Sequence, residues 1–501
     1  MRKILTVLLL CYSVSSLALV PPRDPSRWEE WQLQYATQQQ SAVTDAPIAG
    51  PNRMPAATMA IGSRTIIPRI LVIMVNFADY ELLSTKADVD SMFNGQNWTK
   101  DGATGSVRQY FYDQSMGAYD PQFDIVGPVT LSGGYASYGS SNTAVGMVKE
   151  ACTLVDDSVD FALYDTDNDG VVELVYAFYA GFGENDPPSE DLIPNSEVLV
   201  WPQFVSNISG GTYDGKRVTA CEYSNELDGY YSTAEKSVIA GIGVACHEFG
   251  HALGIPDFYA TNGTNHKLLG AWDLMCYGPY NNDMHSPPSL TAYERFYMGW
   301  LTPTLITKAD TLSLEHIALS NEAFMITEND SHNLDGVNPD TTVFYLLENR
   351  QQQGWDIGIP GNGLMITRVD YQPALWRSNI LNNNPSRLGY DLIEADGLTP
   401  ATDTNAGYFG KPGDVFPEGA TEYTDIPDHA ITDISMTDGV ITFVYRGGIQ
   451  PTDTDSITTP VQVSAVTQST PLKAYKTLSN GQLLIHSNGR TYSIYGIKQD
   501  D

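Results

Sequence analysis

Two histidines four residues apart, with a glutamate beside the first, stand in the run Ala245-Cys246-His247-Glu248-Phe249-Gly250-His251-Ala252-Leu253-Gly254-Ile255-Pro256-Asp257. On a helix four residues is just over one turn, so His247 and His251 project from the same face. Two imidazoles placed that way can bind one zinc ion, and Glu248 is placed to hold and deprotonate a water there. Gly254 supplies the left-handed backbone that ends a helix, and Pro256 prevents the helix from resuming. The chain therefore turns sharply, and Asp257 can swing back as a third ligand. Three protein ligands with a position left open is the catalytic form of a zinc site; a structural site is closed by four. The competing reading is an amphipathic helix with two solvent-facing histidines.

A second element follows at Ala271-Trp272-Asp273-Leu274-Met275-Cys276-Tyr277-Gly278. It resembles the Met-turn that passes beneath the metal in metzincins, and the spacing His251-x-x-Gly254-x-x-Asp257 is metzincin-like. Together the two motifs resemble the immune inhibitor A family of secreted zinc metallopeptidases. The resemblance extends to Ile70–Asp79 as the family's opening strand, and to Ser106–Gly117 as its first helix. It also takes in Tyr345–Arg350 with Gly354-Trp355-Asp356 and Pro360–Ile366, as a downstream β region. In all it covers roughly residues 68 to 447. It implies an α/β zincin (metzincin-like) catalytic domain whose zinc is held by His247, His251 and Asp257. Met275 reads as apolar support under the metal. Tyr277, two residues on, could donate a hydrogen bond to the tetrahedral intermediate, or be a packed aromatic.

The elements that must position these residues follow from pattern. The zinc-binding helix is expected from about Val238 to Leu253. Ile70–Phe77 is a near-continuous apolar run, as expected of a strand buried on both faces. Helices are expected at Ser106–Gln114, with Ser106 as N-cap, at Thr143–Val155 and at Leu290–Trp300. Val198–Trp201 and Arg217–Tyr223 read as strands. The 217–224 strand is assigned the role of pairing with an extended substrate, its alternative being an ordinary sheet strand. Residues 67–301 are expected to form the catalytic core. Residues 302–447, with short runs at 344–348, 363–369 and 440–445, form an associated β-rich subdomain that walls the cleft.

Residues 165 to 173 read Asp165-Thr166-Asp167-Asn168-Asp169-Gly170-Val171-Val172-Glu173. Asp at positions 1, 3 and 5 with Gly at 6 is the first half of a calcium loop. Position 12 is Tyr176, so the usual bidentate Glu is absent; Glu173 could substitute and Val171 could offer its carbonyl. A structural Ca2+ site is expected, against the alternative of a solvated acidic turn.

Composition bounds the rest. In 501 residues, 42% are apolar and 17% charged, values of a globular protein. A net charge of −33 argues against nucleic-acid binding, which needs a basic surface. Residues 1–18 read as a cleaved signal peptide: Arg2 and Lys3, the apolar run Ile4–Tyr12, and small residues at Ser16 and Ala18. That run is too short to span a bilayer, and no other stretch is apolar enough. Export to the cell surface or beyond is therefore expected. Residues 19–66 are a propeptide or linker; lacking cysteine, they cannot block zinc with a thiolate. Past the leader, Cys152, Cys221, Cys246 and Cys276 permit two disulfides, Cys246–Cys276 with Cys152–Cys221 being one geometrically reasonable pairing and free buried thiols the alternative. His266, His285, His316, His332, His429 and His486 are scattered without ligand spacing.

Residues 448–470 read as a Thr/Asp/Ser/Pro-rich linker. In residues 471–501, two alternating runs flank Ser487-Asn488-Gly489, a hairpin signal. This short C-terminal hairpin resembles the sorting tails of the type IX secretion system, which would make secretion machinery a partner. Peptides or proteins are the expected substrates. The resulting expectation is a secreted zinc-dependent endopeptidase with Glu248 as general base. Its rivals are a catalytically silent zincin used for binding, which has no need of Glu248, and a zinc hydrolase of a non-peptide amide.

Overall fold

The computed structural model describes residues 17–24, 27, 64–139, 141–193, 198–262, 268–398 and 409–448, together with three strands between 475 and 493. The chain divides into two compact units, Met1–Ile449 and Gln450–Asp501. The sequence-expected signal peptide falls outside the described residues except for the backbone of Leu17 and Ala18. So do most of the 19–66 segment and all but residue 448 of the linker.

The larger unit is built on a six-stranded sheet. Its strands in chain order are β1 Leu17–Leu19, β2 Arg69–Asn76, β3 Gln122–Thr130, β4 Val175–Phe182, β5 Gln203–Ser206 and β6 Ala220–Leu227. Their spatial order is β1-β5-β6-β4-β2-β3. From β6 to β3 the neighbours run parallel, whereas β1 on β5 and β5 on β6 are antiparallel. β2 lies inside this sheet, and its six central residues are buried, which explains its unbroken apolar run.

Helices cover both faces. Alternate residues of β2 point opposite ways. Ile70, Val72 and Met74 join the core beneath α1 (Lys86–Asn94), α2 (Val107–Gln114) and α4 (Gly243–Ala252). Leu71, Ile73 and Val75 join the core beneath α3 (Ser141–Val155). The result is a three-layer α/β unit. Ser106 caps α2 by accepting the Gln109 amide at 3.1 Å. α5 (Ala292–Met298) opens on a Thr291/Glu294 capping box and ends at Gly299, whose φ is +72°.

Residues 302 to 448 form two further sheets. One comprises β7 Thr304–Leu305, β9 Phe324–Thr327, β10 Phe344–Arg350, β11 Gly363–Val369 and β12 Tyr390–Leu392; the other comprises β8 Asp310–Leu314, β13 Ile431–Thr437 and β14 Val440–Tyr445. Phe344, Leu346, Trp376 and Tyr390 share one core with α4 and the turn after it, so this β region is continuous with the first sheet's packing.

Several elements differ from the sequence expectation. α4 begins at Gly243, not Val238. Residues 226–240 instead fold back on β6, with Asp228 N–H donating to the Val238 carbonyl and Ala240 N–H to that of Glu226. Gly241 lies among the five residues, 238–242, that the expected helix would have added, and glycine disfavours a helix interior. The strand expected at 198–201 lies at Gln203–Ser206, after Pro202. Just before β4, which starts at Val175, the short strand Val171–Val172 pairs with Lys216–Val218.

The second unit contains β15 Tyr475–Ser479, β16 Gln482–Ser487 and β17 Arg490–Ser493, a three-stranded antiparallel sheet. Ser487 pairs with Arg490, the register a two-residue turn requires, although residues 488–489 themselves lie outside the described residues.

Candidate active site

All of α4 is buried, and its two histidines face the turn that follows it. At Gly254, φ is +100°, which ends the helix and sends Ile255 and Pro256 back across it. That reversal does two things. It brings Asp257 Oδ1 to 3.1 Å from His251 Nε2 and 3.4 Å from His247 Nε2. It also places the Ile255 carbonyl 2.8 Å from His251 Nδ1.

The 270–278 turn supplies the matching group for the other ring. His247 Nδ1 lies 2.8 Å from the Leu274 carbonyl. Gly250 lets this turn approach, because a Cβ there would lie 2.8 Å from Met275 Sδ. A carbonyl can only accept, so each Nδ1 carries the hydrogen and each Nε2 presents its lone pair. The two Nε2 atoms are 3.2 Å apart. Two imidazole lone pairs and a carboxylate oxygen thus converge in a buried space, each residue offering one ligand atom within 4.8 Å of the others. Acceptors facing acceptors without a donor is the polarity a cation satisfies. Zinc fits this N2O donor set.

The electrostatics agree. Burial alone would push the Asp257 carboxyl up, but His251 and His247 outweigh it and hold it well below the usual carboxylate range. Burial lowers His247, whereas Asp257 overcomes burial and raises His251. Burial, moderated by His251, pushes Glu248 up to about 8.

The β region grips this centre from behind. Asn379 Nδ2 donates to Asp257 Oδ2 at 2.6 Å, and the Asp257 amide donates back to Asn379 Oδ1 at 2.7 Å. Arg350, fully buried, reaches the Trp272 carbonyl at 3.2 Å while paired with Asp356 at 2.6 Å and Glu348 at 3.0 Å. Arg350, held by Asp356, braces the turn under the histidines. No local signal marks Asn379, which lies 122 residues from its partner.

Tyr277 is buried, its ring 5.5 Å from that of Phe409 and 6.4 Å from that of Tyr280. Tyr280, which sequence reasoning passed over, faces the cleft: its hydroxyl donates to the Pro21 carbonyl. The segment after β1 crosses the site. Val20 N–H donates to Glu248 Oε1 at 3.0 Å, and Trp201 Nε1 donates to the Val20 carbonyl at 3.1 Å.

Two expectations need correction. The 217–224 strand offers no open edge, because β6 is enclosed by β4 and β5. β5 is the outer strand of that pair, and β1 lies along it. Among the described residues there is no disulfide. Cys152, Cys221, Cys246 and Cys276 are free and buried, and burial in apolar packing raises each thiol, so they behave as small hydrophobic side chains. Of the remaining histidines, His285 is buried with Nδ1 2.6 Å from the Asp283 carbonyl, and His316 pairs with Asp356 at 3.0 Å. His429 bonds Tyr445, and His266 and the His486 side chain lie outside the described residues.

In the acidic loop the structure gathers Asp165, Asp167 and Glu173. Asp169 and Val171 face each other instead, the Val171 amide donating to Asp169 Oδ1 at 2.8 Å. Lys216 sits 2.6 Å from Asp165 Oδ2.

A layered α/β fold that brings two histidines, an aspartate and a buried glutamate together in this way presents a centre able to hold a metal ion. Residues 205–300 match the family model described as the immune inhibitor A peptidase M6 catalytic domain, so the resemblance read from the motifs holds. Immune inhibitor A of Bacillus thuringiensis subsp. alesti is 25% identical over 261 residues, 42% of this chain and 36% of that protein. The pre-pro-metalloprotease PrtV of Vibrio cholerae serotype O1 (strain M66-2) is 22% identical over 277 residues, 46% of this chain and 29% of that protein. The matched stretch thus spans about a third of the length of these curated relatives.

Proposed function

We propose that this protein is a zinc-dependent endopeptidase with a metzincin-like centre, the metal being held by His247, His251 and Asp257. The observation that carries this reading is the convergence of His247 Nε2, His251 Nε2 and Asp257 Oδ1, with both Nδ1 hydrogens committed to backbone carbonyls. When bound, zinc supplies Lewis-acid polarisation of the scissile carbonyl and raises the acidity of a water. Glu248 takes that water's proton and delivers it to the leaving amine. Its elevated proton affinity suits a base that must also act as an acid. Asp257 offsets part of the metal's charge, and Tyr277 is kept as a candidate oxyanion donor.

The M6 match and relatives named as a metalloprotease support the peptidase reading over a hydrolase of other amides. The retained Glu248 supports it over a silent binding module. The proposed layout keeps 67–301 as catalytic core and 302–447 as its β-rich partner, with export by the leader and a sorting role for the tail. Among the described residues, no helix is long and apolar enough to cross a membrane. Calcium in the acidic loop is also proposed: Asp165 Oδ1 and Glu173 Oε2 are buried acceptors without a hydrogen-bond partner among the described residues.

The test is proteolysis of casein by wild type and by Glu248→Ala, with zinc measured on both. Cleavage by wild type and none by a zinc-loaded variant supports the assignment. A wild type that holds zinc, has its 19–66 segment removed and still leaves casein intact sinks it.

A further inference from the structure

Leu19, the first residue left by the expected leader cleavage, and Val20–Arg23 after it run past Glu248, and the body of the protein reads their backbone at nearly every step. β1 pairs antiparallel with the outer strand β5, Leu17 opposite Val205 and Leu19 opposite Gln203. Tyr259 donates its hydroxyl to the Leu19 carbonyl. Glu248 accepts the Val20 amide, Trp201 donates to the Val20 carbonyl and Tyr280 to that of Pro21. The Arg23 amide donates to the Asn185 carbonyl at 2.9 Å. Backbone reading of this kind is how a sheet edge takes up any extended peptide, and side-chain pockets along it then set specificity.

One such pocket is charged. Arg23 Nη1 lies 2.8 Å from Asp228 Oδ2 and 3.1 Å from Asp186 Oδ2, and Nη2 lies 3.5 Å from Asp283 Oδ1. The guanidinium sits 4.9 Å from the ring centre of Tyr230 and 5.2 Å from that of Tyr231. Asp186 and Asp228 are 4% and 1% exposed, whereas Tyr230 is 70% exposed, so the floor is buried and the rim is open to solvent. The floor is also rigid: Asp186 Oδ2 accepts the Gly229 amide at 3.0 Å and Asp228 Oδ1 the Tyr231 amide at 2.8 Å. Two neighbouring buried carboxylates demand a cation, and a planar guanidinium beside two aromatic rings fits better than an ammonium.

We propose that the pocket formed by Asp186, Asp228 and Asp283 under Tyr230 and Tyr231 is a substrate subsite for an arginine side chain, three residues after the residue whose amide meets Glu248. This rests on the peptidase reading above. Arg23 marks the seat that a substrate arginine takes when the chain's own segment leaves it.

The experiment uses the full-length zinc-loaded protein and two quenched-fluorescent peptides, identical except for Arg or Gln three residues downstream of the first residue after the cut. Any fraction of cleft covered by the chain's own segment lowers both rates alike, so the ratio of the two kcat/KM values is unaffected. Wild type is expected to favour the Arg peptide at least tenfold. Asp228→Asn, and more mildly the rim variant Asp283→Asn, are expected to reduce that ratio. Equal cleavage of the two peptides by wild type overturns the subsite and leaves the peptidase standing. A wild-type preference that both variants retain in full also overturns it. Cleavage of neither peptide, by wild type or by wild type whose 19–66 segment has been removed, brings down the peptidase reading and the subsite with it.

Discussion

Val20 N–H points at Glu248 Oε1 across 3.0 Å, although the two residues are 228 positions apart. The carboxylate oxygen proposed to receive a proton from water is therefore already accepting one hydrogen bond. The donor belongs to the segment after β1, which is held at the carbonyls of Leu19 and Val20.

Removing that donor should free the base. Val20→Pro deletes the amide hydrogen while keeping an extended backbone beside Pro21. A hydrogen bond to a charged group contributes about 1.5–3 kcal/mol. Casein cleavage by the full-length variant should rise roughly tenfold, since 1.4 kcal/mol is a factor of ten. An unchanged rate would mean that the segment does not compete with substrate.

Asn379 holds Asp257 through two hydrogen bonds, of 2.6 and 2.7 Å. Asn379→Ala leaves all three ligands present but lets the carboxylate rotate. Loss of such an outer partner typically costs about 10–100-fold in metal affinity. Zinc retained after dialysis against graded chelator should fall accordingly, and a wild-type titration curve would refute the role.

The four buried thiols make a redox prediction. Loss of a native disulfide costs about 2–5 kcal/mol. Here the melting temperature should be the same with and without reductant. Alkylation after unfolding without reductant should label Cys152, Cys221, Cys246 and Cys276 alike. A lower melting temperature in reductant, or an unlabelled pair, would show a bridge.

The arginine seat should respond to pH. Burial pushes Asp186 up to about 6, with Arg23 pulling it down and Asp228 pushing it up; Asp283, Tyr231 and Tyr280 also face this cluster. A carboxyl raised to that value is charged above about pH 6 and neutral below it, so its attraction for a cation grows as pH rises through 6. The ratio of Arg-peptide to Gln-peptide cleavage should therefore be several-fold higher at pH 7.5 than at pH 5. Taking the ratio cancels the titration of Glu248. A flat ratio would remove Asp186 from the pocket.

What is local was legible in the chain. Spacing of four residues fixed His247 and His251 on one helical face, and Gly254 with Pro256 fixed the reversal that delivers Asp257. The apolar run at 70–77 marked an interior strand because burial on both faces leaves no polar position to alternate. Backbone hydrogen bonds and side-chain periodicity act over a few residues, so they leave a mark there. What depends on partners distant in sequence was settled by packing. It placed β5 outside β6, making it the outer strand against which β1 lies, and it buried the cysteines unpaired. It set Leu274 against His247 and Asn379 against Asp257. It also carried Arg23 to aspartates more than 160 residues away. Each of these contacts forms only when separate elements pack, and no short-range pattern in the chain encodes it.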